Sequence, residues 1–472
     1  MSQLHTKNTP LTQAYADLIA GSANVAVPDR VRDLAVLGWT DVIGVALAGC
    51  REGAVQALLR WVQEQGAAPV ARVMGHGLRV SAEQAALLNA TAAHALDYDD
   101  FAFSNHPSAV LVPAIVAAAD TARSPVDGAA LIRAYAIGYE IWSDAFLREK
   151  DLYYEQGWHP TAVLGTLGAT AAACVIWGLD ATQSRHALAL AASSAGGVFE
   201  NFGTMAKPFH GGRAAWVGLQ AAGMARCGLQ ASASAIEGQH GLLRAFSPQG
   251  RVDLQAPAPE PGRWRLAQLG LNIKKYPVVG SAQRGIDAAL ALHAALQREH
   301  PIAFEVALER ISRIDAHISV RHAAVMPHHR PTDALQAKFS LQFALACALR
   351  HGAVGMAQLR DEVVRDPVIV RLMSLVQIHT TEDFEPGWRD AAPFDQIFVH
   401  LDDGRCLPSP QVRRATGHAD TPLSAAQLHD KFMGCTEAAG MARAQAQALF
   451  DQLQNLAQLK DAGQLRLHLD QP

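Results

Sequence analysis

Apolar residues recur at helical spacing through most of the first 250 positions. Runs at 31–49, 82–96, 109–122, 129–142, 161–177, 181–194 and 212–227 each predict a helix. Pro10 and Pro28 stand where helices open, and Gly178, Gly196 and Gly228 where they close. Period-two alternation is almost missing here. The run from Thr161 to Leu179 carries no charge over a length close to a membrane span. Its glycines, and its lack of basic and aromatic anchors at both ends, predict instead a helix buried on all sides of a large helical core.

The texture changes at 253–262, DLQAPAPEPG, where prolines and glycine predict a boundary or a long surface connection. Beyond it Ile314, Ala316, Ile318 and Val320 alternate as a half-buried strand. Segments 375–380 and 397–401 predict two more, the second ending in the turn Asp402-Asp403-Gly404. A helix is expected over 332–350, stopped by Gly352. Ser424 with Gln427 fits a capping box, and 437–459 reads as one long Ala/Gln-rich helix. The expected organisation is an all-helical domain made of residues 1–265 and 406–472, with an α+β unit over 266–405 inserted into it.

Composition supports this reading. The chain has 472 residues, half of them hydrophobic, 18% charged and 6% aromatic. A net charge of −4, from 40 basic against 44 acidic residues, supplies no basic field for nucleic acid. The six cysteines are widely spaced, and the first ten residues are polar rather than signal-like, which points to a reduced, cytoplasmic protein. No membrane partner is expected.

Phosphate-cradling glycine loops, the G-x-S-x-G elbow and H-E-x-x-H are all missing from the sequence. Four blocks remain. The first is His94-Ala-Leu-Asp97-Tyr-Asp99-Asp100, followed by Asn105-His106-Pro107-Ser108. It gathers carboxylates at a helix C-terminus, where the dipole opposes them, so it is either a solvated end or a site. The second, Gly157-Trp158-His159-Pro160, puts an imidazole at the mouth of the uncharged helix, as acid/base or as cap. In the third, Lys207-Pro208-Phe209-His210-Gly211-Gly212-Arg213, a lysine and an arginine flank a glycine pair at a helix start and suit a substrate carboxylate. The fourth is Lys274-Lys275-Tyr276-Pro277. Either lysine block alone also suits a solvated charge pair. Other histidines, including His322, His328 and His329, are not read as paired metal ligands, and three nearby carboxylates do not specify Mg²⁺, so no metal and no cofactor are expected. Asp97-x-Asp99-Asp100 matches the acid of class II terpene cyclases too, but 6% aromatics cannot line a carbocation cavity.

Taken together and in order, the four blocks resemble the MmgE/PrpD family of 2-methylcitrate dehydratases, cis-aconitate decarboxylases and iminodisuccinate epimerases. HALDYDD with HPSAVLVPAIVAAAD, GWHPTAVLGTLGATAAA, KPFHGGRAAWVGLQAA, EGQHGLLRAF, KKYPVV and AKFSLQFALACAL carry the resemblance over most of the chain. It implies a mainly α, two-domain fold with an α+β lid, a homodimer, and a site between domains that needs no cofactor. It places Asp97, His106, His159, Lys207 and Lys274 in catalysis, with Arg213, Lys275, Tyr276 and His210 expected to bind substrate. Phe101 stands where the family usually has Thr, and Val278-Val279 and Ala282-Gln283 replace its Cys-Cys and Thr-His.

The expected activity is a dehydratase-type lyase acting by proton abstraction next to a carboxylate of a small di- or tricarboxylate. Epimerisation of an iminodisuccinate-like dicarboxylate and cis-aconitate-type decarboxylation are the alternatives. A carboxylate-binding relative without turnover is the other class that remains.

Overall fold

The computed structural model describes residues 9–299, 301–386 and 391–469; most of the polar start, residues 1–8, lies outside them. The chain separates into two compact units. One holds residues up to Glu200, Ala206–Leu271 and the segment from Ala425 onward; the other holds Asn201–Met205 and Asn272–Ser424. The limits therefore fall at 271/272 and 424/425 rather than at 265/266 and 405/406. The chain after 405 stays with the second unit because Cys406–Pro408 pairs with the strand before it. The proline-rich stretch 253–262 is not the boundary either. It is strapped to the first unit by the Arg148 guanidinium, which donates to the carbonyls of Asp253, Ala256 and Pro257 at 3.2, 3.0 and 3.0 Å.

Up to Arg226 the first unit runs through the helices α1 (Leu11–Gly21), α2 (Asp29–Gly49), α3 (Gly53–Gln65), α4 (Ala82–Ala95), α5 (Pro107–Asp120), α6 (Gly128–Leu147), α7 (Pro160–Trp177), α8 (Ala181–Ser194) and α9 (Ala206–Arg226), and the helices Ala425–Ala438 and Arg443–Gln454 join it from the end of the chain. It is not all-helical. Strands β1 (Ala71–Arg72) and β2 (Arg79–Val80) form a small antiparallel hairpin before α4. Two residues per strand are too few to show an alternation in sequence.

Helix α7 is long and apolar enough to cross a membrane by length and composition, yet 83% of it is buried within the protein. It packs against α5, α6, α8 and α9, which explains why it needs no polar face. Glycines set these close crossings. A Cβ on Gly218 of α9 would lie 2.8 Å from the backbone of Ala169 and Thr170 in α7, atoms that cannot swing aside. We expect Gly218→Ala to destabilise the protein by about 1–3 kcal/mol, the usual cost of overpacking. A urea midpoint unchanged from wild type would contradict this packing.

In the second unit a four-stranded sheet has the order β4-β3-β5-β6. It is made of β3 (Ile311–Ser319), β4 (Val376–Thr381), β5 (Gln396–Leu401) and β6 (Cys406–Pro408). β3 runs parallel to β4 and antiparallel to β5, and β5 is antiparallel to β6. Ile314, Ala316 and Ile318 turn one face of β3 into the core with Ile397 and Val399, as the alternation predicts. Val320 begins a short helix instead of ending the strand.

Two expected helices are broken. The run 332–350 divides into Ala334–Ala337 and Leu341–His351, because the Ser340 hydroxyl accepts the Phe343 amide and starts a new helix. The run 437–459 spans the end of Ala425–Ala438 and the separate helix Arg443–Gln454. Between them Gly440 takes φ +83°. All six cysteines are free; Cys50, Cys174, Cys347 and Cys435 are buried, whereas Cys227 and Cys406 are exposed.

Candidate active site

Four helix ends of the first unit meet around one group of side chains. α4 ends at Ala95, so His94 sits in its last turn and the chain leaves through Asp97, whose φ is +49°. Non-glycine residues pay for that conformation and keep it only where surroundings enforce it. α5 and α7 each begin with a proline, and the residue before each proline is a histidine: His106 and His159 hold the N-cap positions without a side-chain capping bond to the helix. Proline at the first helical position supplies the helical φ and lacks an amide that would go unpaired. α9 starts at Ala206, which places Lys207 in its first turn.

Asp99 stands at the centre of the cluster. The Nδ1–H groups of His94 and His106 both donate to its carboxylate, at 3.0 and 2.9 Å. The His94 and His106 rings lie 4.3 Å apart, and the His159 ring stacks 6.1 Å from that of His94. His159 Nδ1 is 3.1 Å from His210 Nδ1, so one of these imidazoles donates and the other accepts. The Lys207 ammonium forms a buried ion pair with Asp97. His94, Asp97, Asp99, His159, Lys207 and His210 are all buried; His106 is half-buried.

Burial works against the charged form of each imidazole. It lowers His94 to about 3 despite the opposing pull of Asp99, lowers His210 to about 4, and with Lys207 holds His159 well below the usual range. Burial would raise Asp99, but the His94 and His106 imidazoles facing it outweigh that and hold it well below the carboxylate range. At neutral pH His94, His159 and His210 are therefore neutral and Asp99 is an anion. His94 and His210 take up protons on unfolding, toward an ordinary value near 6.5. Their contribution to stability is complete above that pH and is lost as the pH falls toward 4. We expect the urea midpoint to fall between pH 7 and pH 5, and His210→Gln to make that fall shallower. An equal slope in the variant would contradict the assignment.

The formal charges of Lys207, Asp97 and Asp99 sum to −1. Three helix N-termini, at roughly half a positive charge each, offset this together with the roughly half negative charge of the α4 C-terminus. His94, Asp97, Asp99 and His106 do present four donor atoms within 4.8 Å of one another. Lys207 already neutralises Asp97, however, and the two Nδ1–H groups occupy Asp99, while the helix ends add further positive charge. Both carboxylates are thus already engaged, Asp97 by Lys207 and Asp99 by the two imidazoles.

The remaining expected residues take different places. Arg213 donates to the carbonyls of Gly196 and Ser194, at 2.9 and 2.7 Å, so its fork closes the end of α8 instead of facing outward. The glycine pair 211–212 lies inside α9, not before it. A Cβ on Gly212 would meet Thr91 Oγ1 and come within 2.6 Å of the Leu87 carbonyl, so the residue lets α9 lie against α4 rather than seating a carboxylate. Lys274, Lys275 and Tyr276 belong to the second unit. Lys274 is buried, and the Tyr276 hydroxyl donates to Asp287 at 2.5 Å. Gln283 is a brace for this turn: its amide donates to the carbonyls of Tyr276 and Val278 at 2.9 and 3.2 Å and accepts the Tyr276 amide at 3.2 Å.

His94 and Asp99 are absent from the residues singled out for catalysis in the sequence. Both lie in the quoted acidic block. Their role depends on His106, which the bend at Asp97 and two further positive-φ residues, Phe103 and Ser104, bring back against them.

The protein is thus mainly helical and made of two units, with imidazoles, carboxylates and an ammonium gathered where helix ends of the first unit converge. Residues 13–255 match the MmgE/PrpD N-terminal domain and residues 276–456 the MmgE/PrpD C-terminal domain. The chain belongs to the MmgE/PrpD family. It is 27% identical over 427 residues to the cis-aconitate decarboxylase of Homo sapiens, covering 89% of this chain and 87% of the relative. The Mus musculus cis-aconitate decarboxylase is 26% identical over 471 residues, with 98% and 94% covered. The Aspergillus terreus enzyme of the same name is 26% identical over 428 residues, with 84% and 81% covered.

Proposed function

We propose that this protein is a cofactor-independent lyase that moves a proton at a carbon next to a carboxylate of a small di- or tricarboxylate. The observation that carries the reading is the grouping of Lys207 with neutral His159 and His94, and with His106, around ionised Asp99. A hydrogen beside a carboxylate is weakly acidic, because its removal leaves an enolate-like dianion. Stabilising charge must already be in place where that dianion forms. Lys207 and the helix N-termini supply it in the first unit. Lys274, placed by the resemblance, is the further cation assigned to the reaction.

His94 and His159, lowered this far, are poor bases on their own. A polyanionic substrate reverses this, because negative charge in a buried site raises the proton affinity of each imidazole facing it. The site thus becomes basic only when its substrate is bound. His159 or His106 takes the proton from carbon, and the other imidazole delivers one to the leaving group. In the dehydratase form the electron pair left on carbon closes a double bond as the β-hydroxyl leaves as water. Phe101, in place of the family's threonine hydroxyl, favours this form. Decarboxylation is the second reading, favoured by the names of the relatives. There the carboxylate leaves as CO₂ and the carbon is protonated.

Incubation with citrate, 2-methylcitrate, cis-aconitate and aspartate-derived dicarboxylates, followed by product analysis and CO₂ detection, separates these outcomes. New enoate absorbance without CO₂ is expected. Release of CO₂ would move the assignment to decarboxylation, and stereoinversion with neither would replace the lyase by an epimerase.

A further inference from the structure

The turn that carries both site carboxylates is held from behind by a residue more than 300 positions away in the chain. Lys431 lies on the helix Ala425–Ala438, and its ammonium is buried. It pairs with Asp41 of α2 at 2.5 Å and donates to the carbonyl of Tyr98 at 2.8 Å. It also sits 4.0 Å from the centre of the Tyr98 ring. Tyr98 is the residue between Asp97, which meets Lys207, and Asp99, which meets both imidazoles.

We infer that Lys431, anchored by Asp41, is a positioning residue: it holds the backbone at Tyr98 so that Asp97 and Asp99 keep their partners. This rests on the proposed acid–base reading of the site. The physical reason is the backbone itself. Asp97 occupies a left-handed conformation that an aspartate does not prefer, and the turn ends at Phe103 and Ser104, which are also at positive φ. Such a turn relaxes unless something grips it, and the Tyr98 carbonyl is where the grip falls. The groups facing Lys431 and Asp41 are named readily. Asp100 is buried beside Asp41 and Asp99 and faces the Ser108 hydroxyl, which lies 2.7 Å from that of Tyr135; Cys435 lies on Lys431's own helix. Burial and Asp41 together push the Asp100 carboxyl well up, so it adds little negative charge. Among the described residues Lys431 therefore has Asp41 as its anionic partner, and its hydrogen bond to the Tyr98 carbonyl serves the turn.

The test uses two variants. Lys431→Met alone strands a buried Asp41 and is expected to destabilise the protein for that reason, so the double variant Asp41→Asn/Lys431→Met removes the pair without leaving a charge behind. The first readout needs no substrate: the ¹⁵N spectrum of histidine-labelled protein. The double variant is expected to melt near wild type yet to shift the His94 and His106 Nδ1–H signals away from their Asp99-bonded positions. The second readout is turnover of whichever polycarboxylate the wild type consumes, cis-aconitate being tried first. A fall in kcat on the order of 100-fold, with KM within about twofold, is expected from a displacement near 1 Å. Unchanged histidine signals in a folded double variant would overturn the inference, as would full kcat. Absence of turnover in the wild type would sink the lyase reading while leaving the histidine spectra to decide the role of Lys431.

Discussion

Lys207→Met is expected to remove turnover and to destabilise the protein together. Its ammonium is the partner of a buried carboxylate, Asp97. Removing one half of a buried ion pair costs about 3–5 kcal/mol, because the other charge is left without compensation. The double variant Asp97→Asn/Lys207→Met leaves no orphan charge and should recover most of that stability. It should not recover activity, since the charge that meets the developing dianion is gone, a loss on the order of 10²–10³ in kcat. Urea denaturation and kinetics of the three proteins separate the two effects. Recovery of kcat along with stability in the double variant would show that Lys207 acts only on the fold.

Asp99→Asn is expected to have the larger effect on rate and the smaller one on stability. A carboxylate accepts from two Nδ1–H groups at once, as Asp99 does from His94 and His106. An asparagine offers one oxygen and one NH₂, and the NH₂ would face a second donor. One imidazole must then change tautomer, which turns its Nε2 from a proton acceptor into a donor. A wrong tautomer at an otherwise intact acid–base site costs kcat by a factor on the order of 10⁴. Among the described residues His94 Nε2 has no hydrogen-bond partner, so nothing else holds that tautomer in place. Activity within about tenfold of wild type in Asp99→Asn would contradict this account of the cluster.

Helix ends marked by proline or glycine were legible in the sequence. The His-Pro opening of α7 and the stop at Gly178 fall where the local chemistry puts them, whereas α5 opens at Pro107, two residues before the expected run. Breaks inside continuous apolar runs were harder to read. Ser340 and Gly440 carry the signals, a side-chain cap and a left-handed residue, but each sits in a stretch whose periodicity runs straight through it. The same holds at the site. Asp97, His106, His159 and Lys207 stand out as charged or ionisable groups at helix ends. The partnership of His94 and Asp99 with His106 exists only once the turn after Asp97 closes. Arg213 and the 211–212 glycines misled for the opposite reason. Their residue types suit an anion, whereas what decides their role is the approach of α9 to α4 and the end of α8.

Proton exchange at carbon tests the central claim most directly. Wild-type protein and Lys207→Met would be incubated in D₂O with the polycarboxylate panel and followed by ¹H NMR. The account predicts that wild type incorporates solvent deuterium at the carbon next to a carboxylate, in product or recovered substrate, and that the variant does so at least about 100-fold more slowly. Thermal stabilisation of the wild type by these acids, with no exchange and no product across the panel, would contradict it and leave a carboxylate-binding protein on the same scaffold.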